Sequence, residues 1–287
     1  MRGIVLAGGT GSRLWPVTSG VSKQLLPIHD KPMIYYPIST LMLAGIREIL
    51  IITTPDHCED FKRLLMDGSQ WGINISFKIQ SQPKGIAEAF IIAEEFIGQE
   101  PVALMLGDNF FHGEGLGKQL SKIDSSIGAT IFGYRVSNPQ EYGVVELDSA
   151  GSPVSIQEKP LKPRSNIAVP GIYFYDNKVV DYSKELEPSP RGELEITDIN
   201  LKYLEAGNLN VKILERTTVW LDSGSIDTLE AASNYVRVVE DRQGLKIACL
   251  EEIAFNLGWI DRTALESIAR KYPHNNYGRY LLSLIEG

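Results

Sequence analysis

Short, nearly continuous apolar runs alternate with longer amphipathic stretches through the first half of the chain. Gly3–Ala7, Glu48–Thr53 and Val102–Leu106 are apolar runs of strand length, and Ile75–Ile79 alternates polar with apolar. Between them, residues 33–44, 57–66 and 85–97 carry apolar positions at helical spacing. Strand runs without alternation belong to strands buried on both faces, so the pattern predicts a parallel sheet covered by helices on each side.

The rhythm changes after about residue 130. Strand-like pieces come at Thr130–Tyr134, Val144–Leu147, Val154–Gln157, Gly171–Tyr175, Val211–Leu214 and Thr218–Leu221, with a helix expected at Ile196–Ala206. The sheet should therefore be mixed. From Ser225 onward the pattern is helical throughout, over 225–242, 250–257, 261–271 and 277–285. Residues 1–224 are expected to form the α/β part, and 225–287 a helical region packed on it as a cap or subunit interface. Repeats, low-complexity tracts and long linkers are absent from the sequence.

Composition narrows the class. Of 287 residues, 43% are hydrophobic and 22% charged, enough apolar surface to offset chain entropy in a full core. The net charge of −8 argues against nonspecific nucleic-acid binding, which needs clustered Lys and Arg, but not against a single anionic ligand held by a local basic patch. The cysteines, Cys58 and Cys249, are too few for a disulfide scaffold, and His29, His57, His112 and His274 lack zinc-ligand spacing. Neither a signal peptide nor a run approaching the ~20 apolar residues of a membrane span is visible, so a cytoplasmic location is expected.

The chemistry begins in the loop after the first strand, Leu6-Ala7-Gly8-Gly9-Thr10-Gly11-Ser12-Arg13-Leu14. Three glycines let backbone N–H groups approach phosphate oxygens, while Arg13 and Lys23 supply charge. The Gly-Lys-Ser/Thr of a P-loop is absent, and a dinucleotide fingerprint fails because Leu14 stands where its last Gly belongs. Asp108 in Leu106-Gly107-Asp108-Asn109 and Asp222 in Trp220-Leu221-Asp222-Ser223-Gly224 each end an apolar run. Such an Asp serves equally well as a helix cap or as a ligand to a hard cation. Glu158-Lys159-Pro160, taken alone, reads as a surface pair before a turn. Gln80 and Gln82, taken alone, read as a polar loop.

The segments Leu6–Leu14, Ser22-Lys23-Gln24-Leu25-Leu26-Pro27 and Asp30–Pro37 together resemble the opening signature of the sugar nucleotidylyltransferases. The resemblance extends over nearly the whole chain, through Gln243–Ala254 and Tyr277–Leu282. Trp15, where Tyr or His is common, is a departure that leaves the charged groups untouched. The architecture implied is a Rossmann-like three-layer α/β sandwich around a mostly parallel, mixed sheet. The activity implied is thymidylyl transfer from dTTP to glucose 1-phosphate with Mg²⁺ as cofactor, the first step toward dTDP-rhamnose and related sugars.

The resemblance also assigns residues. Arg13, Lys23, Asp108, Lys159 and Asp222 would be catalytic, with Asp108 and Asp222 the metal pair. Leu6, Gly8, Gly9, Thr10, Gly11, Ser12, Arg13, Gln24, Gln80, Pro83, Gly85 and Asp108 would hold the nucleotide, Gln80 reading the base. Lys23, Asn109, Tyr142, Gly143, Glu158, Lys159, Val169 and Arg191 would hold the sugar phosphate. Members with this C-terminal region imply a homotetramer, a dimer of dimers, inhibited by dTDP-rhamnose at a subunit interface. A sister enzyme using UTP or another sugar and a non-catalytic nucleotide-sugar-binding relative are the alternatives. The second would have lost some of the five charged residues, and all five are present.

Overall fold

The computed structural model describes residues 1–286. Its strands are β1 (Arg2–Ala7), β2 (Pro27–Ile28), β3 (Lys31–Pro32), β4 (Glu48–Thr53), β5 (Asn74–Ile79), β6 (Val102–Leu106), β7 (Asn109–His112), β8 (Ala129–Arg135), β9 (Gly143–Leu147), β10 (Pro153–Glu158), β11 (Ile167–Ala168), β12 (Ile172–Tyr175), β13 (Leu209–Ile213) and β14 (Val219–Asp222). One large sheet has the order β10-β9-β11-β8-β12-β6-β1-β4-β5, with β13 added beside β8. The half built from β6, β1, β4 and β5 is parallel; β12 pairs antiparallel with both β6 and β8, which makes the sheet mixed.

Successive residues of the central strands divide between two cores. Val5, Ile49, Ile51, Ala103 and Met105 face one, with Ile38, Leu41 and Phe61 from the helices Tyr35–Leu43 and Cys58–Leu65. Ile4, Leu50, Ile52, Val102 and Leu104 face the other, with Phe90, Val179, Ile199 and Tyr203 from the helices Glu88–Ile92, Val179–Lys184 and Ile196–Glu205. This period-two division makes the molecule three layers, and each fully buried aliphatic or aromatic side chain contributes about 1.5–3 kcal/mol. The stretch 85–97, expected as one helix, is two: Glu88–Ile92 and Glu94–Ile97, parted at Ala93 (φ −89°, ψ 2°). Both cysteines are free and buried.

The C-terminal helices are Ile226–Gln243, Leu250–Asn256, Arg262–Ala269 and Asn276–Glu286. Ser225 caps the first through a reciprocal pair with Thr228, and the Asp261 carboxylate accepts from Ala264 N at 2.8 Å to cap the third. Leu250, Ala254, Leu265 and Leu281 join the same core as β1 and β4, so this region shares its interior with the sheet.

The chain passes from β1 out to β4 and β5 and then returns to the other side of β1 for β6. The loops that follow β1 and β6 therefore leave the sheet side by side, at the carboxyl ends of adjacent parallel strands, where open α/β sheets bind ligands.

Candidate active site

The loop after β1 bends through Gly11, with Ser12–Leu14 as one 3₁₀ turn and Lys23–Leu25 as another. Beyond β6, Gly107 N donates to Leu6 O at 2.9 Å, which stitches the two loops together. Asp108 then leads directly into β7. This strand pairs antiparallel with β14 in a separate ribbon that sets Asp222 opposite Asn109, and Ser223 N donates to Asp108 O at 2.9 Å. The ribbon thus brings the two aspartates of distant sequence to one spot.

The Lys23 ammonium is paired with the Asp108 carboxylate. Burial of Asp108 works to raise its pKa, but the Lys23 charge and its hydrogen bond, with help from the Asn109 amide, hold it below the usual carboxylate range. Asp222 is pushed the other way, by burial first and then by the negative charge of Asp108, with Lys23 and Arg13 giving only partial relief. One oxygen of Asp222, Oδ1, is buried without any hydrogen-bond partner among the described residues. An orphaned carboxylate oxygen next to a second carboxylate is an oxygen donor set short of a cation, which suits a hard divalent ion such as Mg²⁺. The Arg13 guanidinium crosses the same spot, since a methyl group at Gly224 would lie 2.6 Å from its Nη2 and 2.8 Å from Asp222 Oδ1.

From here opens a cleft of about 680 Å³ whose lining includes Arg13, Asn109, Tyr142, Gly143, Glu158, Lys159, Val169, Arg191 and Asp222. Eight of these sequence-selected residues come from six separate segments between 109 and 222, which only the fold unites. Lys159 sits at the end of β10 with φ 42°, a left-handed backbone unusual for a side-chain-bearing residue, and its N donates to Tyr142 O at 3.0 Å. Glu158 accepts from Thr197 Oγ1 at 2.6 Å. Arg191 is held at 2.8 Å by each oxygen of Glu195. Its charge is therefore shared with a carboxylate of the same wall. Asn109 is committed too, because its Oδ1 accepts from Gly171 N at 3.0 Å and from Trp220 Nε1 at 2.7 Å.

A smaller recess of about 150 Å³ adjoins the cleft through Ile86 and Glu193, which line both. Its other walls are Leu6, Gly8, Gly9, Gln80, Pro83 and Gly85. Gly85 has φ +105°, and any Cβ there would meet Leu194 O at 2.4 Å. Gly8 admits the Gln80 side chain, since a Cβ would fall 2.4 Å from its Oε1. Thr10, Gly11, Ser12, Lys23, Gln24 and Asp108 line neither space. Gln24 is buried and accepts from Ser22 Oγ at 2.7 Å. Glu195, Thr197 and Trp220, which line the cleft, and Glu88, which holds Gln80, were not among the residues expected there. The Trp immediately before Leu-Asp was the available signal for Trp220; Glu88 had none.

A two-chamber cleft at the carboxyl ends of parallel strands, with acidic residues at the junction and unanswered cations around it, is a site for joining two phosphate-bearing ligands. The nucleotidyl transferase family matches residues 2–238, and the chain belongs to that family. Within it, the chain is 55% identical over 284 residues to the glucose-1-phosphate thymidylyltransferase of Xanthomonas campestris pv. campestris, covering 99% of this chain and 96% of that one. It is 54% identical over 286 residues to the enzyme of the same name from Mycobacterium tuberculosis, covering 100% and 99%. A solved structure from Bacillus anthracis, described as a glucose-1-phosphate thymidylyltransferase in complex with sucrose, superposes with a TM-score of 0.76 at 39% identity, covering 83% of this chain and 95% of that one.

Proposed function

We propose that the protein transfers a thymidylyl group from dTTP to α-D-glucose 1-phosphate, giving dTDP-glucose and pyrophosphate. A phosphate oxygen of the sugar phosphate attacks the α-phosphorus of dTTP in line, and the bond from that phosphorus to the bridging oxygen breaks as pyrophosphate leaves. The attacking group is already an anion at neutral pH, so no general base is needed, in keeping with a cleft whose lining contains no histidine. The rate enhancement then comes from positioning and charge neutralisation.

The observation that carries this reading is the convergence of Arg13, Lys159 and Asp222 on one cleft, with Asp108 and Lys23 at its edge. Arg13 lies where charge builds on the transferring and leaving phosphates. Lys159 holds the attacking phosphate, and Lys23 orients the same region. Asp108 and Asp222 would hold Mg²⁺, which when bound supplies a positive charge to the nucleotide phosphates. Glu158, Tyr142 and Gly143 line the glucose, and Val169 offers it backbone. The base enters the smaller recess over Gly85, with Gln80 at its floor.

The C-terminal region leaves Val238, Leu245, Leu257 and Tyr272 exposed, which supports an assembly surface there and the homotetrameric state; dTDP-rhamnose would inhibit at such an interface. No helix among the described residues is long and apolar enough to cross a membrane, and a cytoplasmic biosynthetic role accords with that.

The decisive assay is pyrophosphate release with Mg²⁺ and glucose 1-phosphate, comparing dTTP, UTP, ATP, CTP and GTP. Preference for dTTP that EDTA abolishes is expected. Preference for UTP would instead favour the activity of the UDP-glucose pyrophosphorylase that this fold matches at 25% identity and a TM-score of 0.70. No release with any nucleotide would overturn the reading.

A further inference from the structure

Gln80 is buried, and its amide is not free to turn. Nε2 donates to Glu88 Oε2 at 2.7 Å and to Gly85 O at 3.3 Å. Neither partner has a proton to give: one is a carboxylate, the other a backbone carbonyl. The side-chain amide of a glutamine can ordinarily point either way, because its two ends are nearly the same shape. Here only one orientation makes hydrogen bonds; the other would press Oε1 against a carboxylate. With both N–H groups spent on that side, Oε1 faces Gly8, at the floor of the small recess.

We propose that Glu88 is the positioning residue that sets nucleobase selection, by locking Gln80 so that it offers the recess an acceptor and no donor. The inference rests on the small recess being the base site. Thymine and uracil carry a ring N–H at N3, which can donate to Oε1. Cytosine carries a lone pair at N3, so the same contact would set two acceptors against each other in a buried place. The device therefore selects between pyrimidines by the direction of one hydrogen bond. It is blind to the 5-methyl group, so the choice between thymine and uracil must come from elsewhere in the recess. Glu88 itself does not line the recess and acts only through Gln80.

The test compares kcat/KM for dTTP and dCTP, each with glucose 1-phosphate and Mg²⁺, in the intact protein. Glu88→Gln keeps the shape but offers both donor and acceptor, so Gln80 can turn over. The dTTP-to-dCTP preference should fall by about tenfold or more, the net cost of a buried unmatched polar contact. The KM for glucose 1-phosphate and the melting temperature should stay unchanged. Gln80→Ala should lower the preference as well, and adding Glu88→Gln to it should change nothing further. Glu88→Ala provides a second variant and should also lower the preference. Preference retained in both Glu88 variants but lost in Gln80→Ala would overturn the positioning role alone. Preference retained in Gln80→Ala would overturn it together with the base-site reading.

Discussion

Asp30 with Glu240 and Asp108 with Asp222 are two acidic pairs of similar make-up, each within reach of two cations, yet the molecule treats them oppositely. In the first, where the helix Ile226–Gln243 meets the β2–β3 hairpin, the charges close. Lys31 donates to Glu240 at 3.0 Å and also pairs with Asp30, while Lys246 reaches both carboxylates and Ile247 N donates to Glu240 Oε1 at 2.9 Å. His29, Asp30 and Glu240 bring ligand-type atoms within 4.8 Å of one another, an arrangement that could hold a metal, but two ammonium groups already fill it. Asp30 accordingly lies below its ordinary pKa, the lysine contacts outweighing its burial. In the second pair Lys23 answers Asp108 only, and Asp222 keeps a buried oxygen without a donor. A closed cluster holds the fold together. An open one has binding energy left for a ligand.

Three experiments sharpen that contrast. The largest effect is expected in the open cluster: Asp108→Asn or Arg13→Ala should lower kcat by about a thousandfold while circular dichroism shows the fold intact, the size of loss seen when a group that stabilises charge in the transition state is removed. Near-normal turnover in either variant would sink the assigned roles. In the closed cluster the effect should fall on stability. Lys31→Ala leaves two carboxylates facing a vacated, nearly inaccessible site and should cost about 3 kcal/mol in urea unfolding, with little change in the KM for either substrate. A loss below about 0.5 kcal/mol, the scale of exposed ion pairs, would erase the distinction.

The smallest effect concerns pH. The folded protein holds the Asp222 proton to higher pH than the unfolded chain, so stability falls as pH rises from the ordinary value of 3.8 through the raised one. In EDTA at neutral pH, Asp222→Asn should therefore melt above the parent, and the gap should close on acidification toward that ordinary value. Mg²⁺ should raise the parent's melting temperature and leave the variant's unmoved. Equal melting at every pH would show Asp222 to be already compensated.

The contrast also explains which parts were readable from sequence. β4 and β6 were placed to the residue, because strands buried on both faces are apolar throughout and bounded by polar residues. Gly8 and Arg13 stood out from the glycine-rich loop itself, whereas Asp108, Lys159 and Asp222 were singled out only through the family resemblance, because a lone Asp after a strand or a lone Glu-Lys pair is ambiguous. β7 was missed: Asn109-Phe110-Phe111-His112 has no alternation, and its partner β14 lies over a hundred positions away. The break at Ala93 was missed because Ala and Glu favour a continuous helix there and tertiary packing overrode them. Arg191 and Asn109 were expected at the sugar phosphate and both line the cleft; that Arg191 also pairs with Glu195, and that Asn109 also accepts from Gly171 and Trp220, could not be read from sequence because the fold contributes those partners. Local chemistry shows in a sequence; which charges are already spent does not.

The ribbon of β7 and β14 has a consequence during synthesis. Asn109 and Trp220, whose side chains join its strands, stand 111 positions apart. A growing chain therefore carries its first aspartate through the making of more than a third of the protein before the second can join it. On the proposed assignment of Asp108 and Asp222 to the cation, the nascent polypeptide would carry only half of that donor set until β14 is made and pairs with β7.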